Sequence, residues 1–200
     1  MANHAAGLGF RAALVETPHA GELMARPETQ LLYYRSVADR ASVPILIANR
    51  PGVTGVDLSV ETMLALAAHP NIGGVVDHSG DVTRIARLGE IAVLWGTGSS
   101  LWNALQNGAA GAVIAFANAA PYAAIALWEA HRTREEEAGV DWQSRIAPPA
   151  EMVGIRFGVP GLKHAMDLNG YYGGPPRLPW AVLNPAEKLE VQAAFADLKS

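Results

Sequence analysis

Apolar positions along the chain gather into five short runs separated by helix-like segments. The runs are RAALVE (11–16), PILIA (44–48), IGGVVD (72–77), IAVLWG (91–96) and GAVIAF (111–116). IGGVVD is short, rich in Val and Ile, and polar only at its end, which suits a parallel strand buried on both faces. Between the runs, segment 27–41 opens on Pro27 and carries Leu31, Leu32, Tyr34 and Val37 at helical spacing. Segment 59–68 opens on Ser59, a suitable N-cap, with Glu61 and Thr62 in its first turn. Segment 98–107 begins at Ser99 or Ser100 and stops at Asn107-Gly108. Strand followed by helix, repeated, predicts an α/β fold with a parallel sheet or barrel.

The strand pattern ends at Pro121. YAAIALWEAHRTREEE (122–137) reads as one long helix with an apolar face, leaving Glu135, Glu136 and Glu137 at its C-terminal turn. Anions there oppose the helix dipole, so a solvated, fraying end is expected. Further helices are expected near 150–157, 160–168 and 184–198. The last opens with Asn184-Pro185, an N-cap followed by Pro at the first helical position. Between them NGYYGGPPRLP (169–179) is a turn-rich loop, in which Tyr171 and Tyr172 are expected to pack rather than stack on a ligand. The expected organisation is a partial (β/α) barrel over 1–120 and a helical C-terminal extension over 121–200, packed on the same domain.

Composition narrows the classes. A chain of 200 residues with 50% apolar content can bury a substantial core. A net charge of -4 without a basic cluster argues against a nucleic-acid partner. The absence of cysteine excludes disulfides, thiolate metal sites and a cysteine nucleophile. No apolar run reaches the roughly 18–20 residues of a membrane span, so no membrane partner is expected. MANHAAGLGF lacks the layout of a signal peptide, which makes the cytoplasm the default location.

Candidate chemistry is sparse. GTGSS (96–100) follows a strand and precedes a helix, so it could cradle a phosphate. It lacks the P-loop lysine and full G-x-G-x-x-G spacing, which favours a plain βα turn. Asp77 and His78 close the third run and offer metal ligands or an acid–base pair. The other histidines, at 4, 19, 69, 131 and 164, show no ligand spacing, so no metal site is expected. Capping of the next helix by Asp77, Ser79 or Asp81 is the favoured alternative. No G-x-S-x-G occurs, and Ser79 does not sit in a nucleophile elbow. The three lysines, Lys163, Lys188 and Lys199, fall in the helical C-terminal region, where surface charge is the expected role.

Four stretches go further: VADRASVPILIANRPGVTGVDLS (37–59), HPNIGGVVDHSGDVTRI (69–85), GAAGAVIAFAN (108–118) and RFGVPGLKHAMDLNGYYGGPPRLP (156–179). Together they resemble the dihydrodipicolinate synthase / N-acetylneuraminate lyase family, and the C-terminal stretch resembles its 4-hydroxy-2-oxoglutarate aldolase branch. The resemblance implies a (β/α)8 TIM barrel with a C-terminal helical extension, usually tetrameric, whose members are class I aldolases binding pyruvate as a Schiff base. The chain then carries about five C-terminal strands of that barrel. AAGLGFRAALVETP resembles the helix and strand before the family's T-P turn. On that likeness about three N-terminal strands, and the G-T-T-G-E loop that binds the pyruvate carboxylate, are expected to be absent.

Residue by residue, the resemblance implies lost chemistry. The Schiff-base lysine of the family's K-D/E-x-x-G pattern falls on Val76 in VVDHSG. The proton-relay tyrosine of its Y-N-x-P-x-x-T-G pattern falls on Ala48, while Asn49, Pro51, Thr54 and Gly55 match. The T-P-Y-Y turn becomes TPHA, with His19 and Ala20 in place of tyrosines, and Val53 stands where the synthase branch has a carboxylate-binding arginine. Thr17, Asp77, His78, Gly96 and Val113 remain as pocket-lining candidates. Without the amine no carbinolamine forms, and without the tyrosine a proton carrier worth on the order of a hundredfold is missing. A scaffold without Schiff-base catalysis is therefore expected. Its rival is a lyase acting on a 2-oxo acid through a displaced lysine or through Asp77 and His78. Neither requires a cofactor. A 2-oxo acid is the implied ligand, and open sheet edges imply a homo-oligomer or a companion chain.

Overall fold

The computed structural model describes residues 1–19, 21–89 and 91–198, so Ala20 and Lys199 lie outside the described residues. It divides into two compact units, residues 1–96 with 107–112, and residues 97–106 with 113–200.

The first unit runs α1 (Ala2–Gly7), β1 (Ala13–Glu16), α2 (Pro27–Arg40), β2 (Ile45–Asn49), a short α3 (Pro51–Thr54), α4 (Val60–Ala67), β3 (Ile72–Asp77), α5 (Thr83–Leu88), β4 (Val93–Trp95) and β5 (Gly111–Ala112). All five strands are parallel and lie in sequence order, β1 and β5 at the edges. This is the expected run of consecutive β/α repeats. The Ser59 hydroxyl accepts from the Thr62 backbone N–H, and Pro27 sits in the first turn of α2, as the sequence pattern predicts. Alternation along the strands divides the sheet. Ile45, Ile47, Val75, Val93 and Trp95 form a wholly buried row, and α2 and α4 add Tyr34, Ala38, Met63 and Leu66 to the same core. The opposite row holds Leu14, which is 51% exposed, with Leu46 and Leu94 half-buried. The fifth strand is much shorter than GAVIAF suggested: pairing stops at Ala112, and residues 115–118 form a 3-10 turn.

The second unit contains a 3-10 turn (Gly98–Ser100), α6 (Leu101–Gln106), α7 (Pro121–Thr133), α8 (Glu136–Glu151), a π-helical stretch (Met152–Arg156), α9 (Gly158–Leu168) and α10 (Pro185–Ala194). The expected single helix over 122–137 is two. Arg134 adopts the left-handed conformation at φ 62° and ends α7. Glu136 and Glu137 then open α8, where their charge favours the dipole instead of opposing it. The helix expected near 150–157 is present as the π-helical stretch, which α8 enters directly after running through Pro148 and Pro149. The last helix is shorter than 184–198, with a separate 3-10 turn at Ala196–Leu198. Its Asn184–Glu187 capping box is complete.

Residues 169–179 form the expected loop, but the tyrosines do not pin it. Tyr171 and Tyr172 are 41% and 85% exposed. The Asp167 carboxylate instead accepts from the Gly173 N–H at 2.8 Å, and Lys163 Nζ donates to the Gly173 carbonyl at 2.6 Å. Polar side chains of α9 thus hold a backbone that has no regular partner of its own.

Gly74 marks the closest approach of β3 to its neighbour: a Cβ there would lie 2.5 Å from the Ala92 carbonyl oxygen. Backbone cannot yield as a flexible side chain does, so Gly74→Ala is expected to destabilise the fold by about 1–3 kcal/mol. Urea denaturation of the two proteins checks this.

Candidate functional site at the C-terminal strand ends

Strand register brings the residues of interest into layers. Glu16 pairs with Ala48, Ala48 with Val76, and Val76 with Leu94. Ala48 and Val76, both wholly buried, are therefore lateral neighbours on one face. One residue further, Asn49, Asp77 and Trp95 form the next row, and their side chains project to the opposite face.

That opposite row carries a buried polar network. Asn49 Nδ2 donates to Asp77 Oδ1 and to Asp57 Oδ1, both at 2.8 Å, while Asn49 Oδ1 accepts from the Leu58 N–H at 3.0 Å. Arg84 donates to Asp57 Oδ1 at 2.8 Å and to the Leu58 carbonyl at 2.6 Å, and stands 3.8 Å from Asp77 Oδ2. Ser79 donates its N–H and its hydroxyl to the two Asp77 oxygens. Asp77 is fully buried and spent on these bonds. It folds the strand end and shares no face with His78, so the acid–base pair is not assembled. Asp81 does the capping: its carboxylate accepts from the N–H and hydroxyl of Thr83 at the start of α5.

Two residues beyond Ala48 and Val76, on their face, stand Arg50 and His78. The His78 N–H donates to the Asn49 carbonyl at 2.9 Å, and the Gly96 N–H donates to the Asp77 carbonyl at 2.8 Å, extending the ladder past the strands. A Cβ on Gly96 would lie 2.3 Å from the His78 ring, so the absent side chain is what admits the imidazole. Arg50 Nη1 donates to Glu16 Oε2 at 3.2 Å. Burial, then the Arg50 charge, hold His78 below the ordinary histidine value, against the opposing pull of Asp77 and Glu16.

The remaining predicted residues separate. Thr17 is buried just past β1. Its Oγ1 donates to the Ala48 carbonyl at 2.8 Å and lies 3.0 Å from the Tyr34 hydroxyl, whose titration burial raises. The retained P-x-x-T-G residues build a turn. Pro51 opens α3, Thr54 donates to the Arg50 carbonyl, and Gly55 takes φ 70° to end the helix. Val53 on that helix is 64% exposed. His19 is exposed, its Nδ1 3.1 Å from the Thr17 carbonyl. Val113 follows β5, is 44% exposed and belongs to the second unit. GTGSS is a plain turn into α6, with Gln143 accepting from the Trp102 N–H at 2.6 Å and donating to the Gly98 carbonyl at 3.1 Å. Lys163 is committed to its loop and Lys188 is exposed on α10. Among the described residues no helix is long and apolar enough to cross a membrane.

The family model of the dihydrodipicolinate synthetase family matches residues 1–198. The chain belongs to that family. An uncharacterised DapA-like lyase of Halobacterium salinarum is 32% identical over 201 residues, which cover 98% of this chain and 66% of that protein. The 4-hydroxy-tetrahydrodipicolinate synthase of Xanthomonas campestris pv. campestris is 34% identical over 191 residues, 92% of this chain and 62% of that enzyme. The chain thus spans slightly less than two thirds of these relatives. Among solved structures, a dihydrodipicolinate synthetase-like protein of Pseudomonas aeruginosa superposes with a TM-score of 0.92 at 27% identity, covering 99% of this chain and 70% of its own. One from Thermus thermophilus gives 0.85 at 33% identity, covering 98% and 70%. The parallel five-stranded sheet is therefore part of the family's TIM barrel.

The sequence pattern singled out Ala48 and Val76 but not Arg50, Glu16 or Arg84. The period of two along a strand was the signal for Arg50 and His78, since Ala48 and Val76 lie two residues before them. Arg84→Met is expected to cost about 3 kcal/mol by leaving Asp77 without a nearby cation, measured as a fall in unfolding free energy. Arg50→Met is expected to raise the titration midpoint of His78, because it removes the cation that disfavours the imidazolium. Proton NMR of the imidazole resonances reads this directly.

Proposed function

We propose that this chain is a dihydrodipicolinate synthetase-family lyase homologue that has lost Schiff-base catalysis. One observation supports the reading: Ala48 and Val76, which the motif likeness sets at the family's tyrosine and lysine positions, are buried register partners. Neither side chain can attack a carbonyl or carry a proton. Of the lysines among the described residues, Lys163 is committed to the Gly173 carbonyl and Lys188 is exposed on α10. The C-terminal loop's likeness to the 4-hydroxy-2-oxoglutarate aldolase branch supports a 2-oxo acid as the ancestral ligand class.

A second reading is a carbon–carbon lyase that works on such an acid without an imine. His78 favours it, because neither ring nitrogen has a hydrogen-bond partner among the described residues. The open β1 and β5 edges, with Leu14 exposed beside one of them, support assembly with a second copy or with a companion chain.

Incubation with pyruvate and borohydride, followed by intact-mass measurement, is expected to leave the mass unchanged. A reduced covalent adduct would overturn the reading. Size-exclusion chromatography with light scattering is expected to show a species larger than one chain, and a stable monomer would refute assembly.

A further inference from the structure

In the layer of Ala48 and Val76 and just past it, the same face carries three ionisable side chains that the matched motifs leave unassigned. Glu16 comes from the end of β1, Arg50 from just after β2, and His78 from just after β3. Glu16 anchors Arg50 through a single bond from Nη1, so the guanidinium keeps further N–H donors unused among the described residues. Arg50 is half-exposed, at 40% of its side chain, and can therefore meet a ligand without a rearrangement. Guanidinium donors in a planar fork match the two oxygens of a carboxylate. Glu16 contributes an acceptor as well: its Oε1 is turned inward without a hydrogen-bond partner, and with the side chain 41% exposed a turn of the carboxylate presents it to a ligand. His78 completes the set: it is partly buried over Gly96, within electrostatic reach of both Arg50 and Glu16, and unpaired at its ring nitrogens.

These groups specify a ligand. A bare carboxylate on Arg50 would be repelled by Glu16 beside it. A ligand that also carries a hydroxyl can donate to Glu16 Oε1 or to the imidazole, and so offsets that repulsion. From the Glu16–Arg50–His78 cluster at the strand ends we infer a non-covalent site for a small 2-hydroxycarboxylate, with Arg50 on the carboxylate and Glu16 and His78 on the hydroxyl. The inference goes beyond the loss of Schiff-base catalysis and uses different residues. It takes from that reading only that the strand-end face is where a ligand binds. No bond is made or broken, and no co-reactant is needed.

Glycolate and acetate test it, since they carry the same charge, differ by one hydroxyl and have no ketone to form an imine. Imidazole resonances of the full chain are followed during titration at constant ionic strength, with His78 assigned by comparison with His78→Gln. Glycolate is expected to shift His78 saturably, and acetate to require at least about tenfold more ligand, as for one hydrogen bond to a charged group. Arg50→Lys, which keeps the charge but loses the fork, is expected to weaken glycolate about tenfold. Circular dichroism of that variant establishes that it folds; should it not, Arg50→Gln is measured in the same way. Equal responses to glycolate and acetate, an unaltered affinity in the folded Arg50 variant, or no response of His78 would each overturn the proposal. An adduct with pyruvate and borohydride bears only on the earlier reading, because glycolate cannot form one.

Discussion

The strand ends are held by Asn49, whose amide joins the buried Asp77 carboxylate, the exposed Asp57 carboxylate and the buried Leu58 backbone N–H. Asp77 is wholly buried, and the amide, Ser79 and the nearby Arg84 offset the hydration its carboxyl loses there. Arg84 in turn reaches back to the Leu58 carbonyl, tying α5 to the loop ahead of α4. β2, β3 and both following connections thus converge on one amide. Because side chains alternate along a strand, fixing Asn49 and Asp77 on one face also fixes which residues emerge on the other.

That coupling keeps the two faces of the strands distinct. One carries Asn49 and Asp77, whose bonds hold the strand ends and lead into the Pro51–Thr54 helix and its Gly55 cap. The other carries Ala48 and Val76, which are register partners and fully buried. The residues that hold the strand ends and those that face a ligand thus occupy opposite faces of the same strands, so one set can change without the other.

The chain's periodicity revealed the parallel β/α repeats because buried strands leave short apolar runs. The second unit was less legible. Arg134 carries no side-chain signal for a left-handed residue, yet it separates α7 from α8, and the Pro148-Pro149 pair hid a helix that tolerates both. Arg84 was illegible for another reason. Its partners Asp57 and Leu58 are 26 or more residues away, and no local pattern announces a pairing over that distance. The tyrosines of the 169–179 loop misled through their size: the loop's backbone needed hydrogen bonds more than it needed aromatic cover.

The two-residue offset of Arg50 and His78 from Ala48 and Val76 has a geometric meaning. Two residues of extended strand amount to about 6–7 Å along its axis. Alanine and valine then form a floor with Glu16 at its side, and Arg50 and His78 a rim standing above it. A ligand seated there would be oriented by polarity, with its charged head at the rim and its hydrocarbon end down. An acid fixed covalently at the floor would instead place its reacting carbon there, so the two modes of binding would present opposite ends of a ligand to the same two layers.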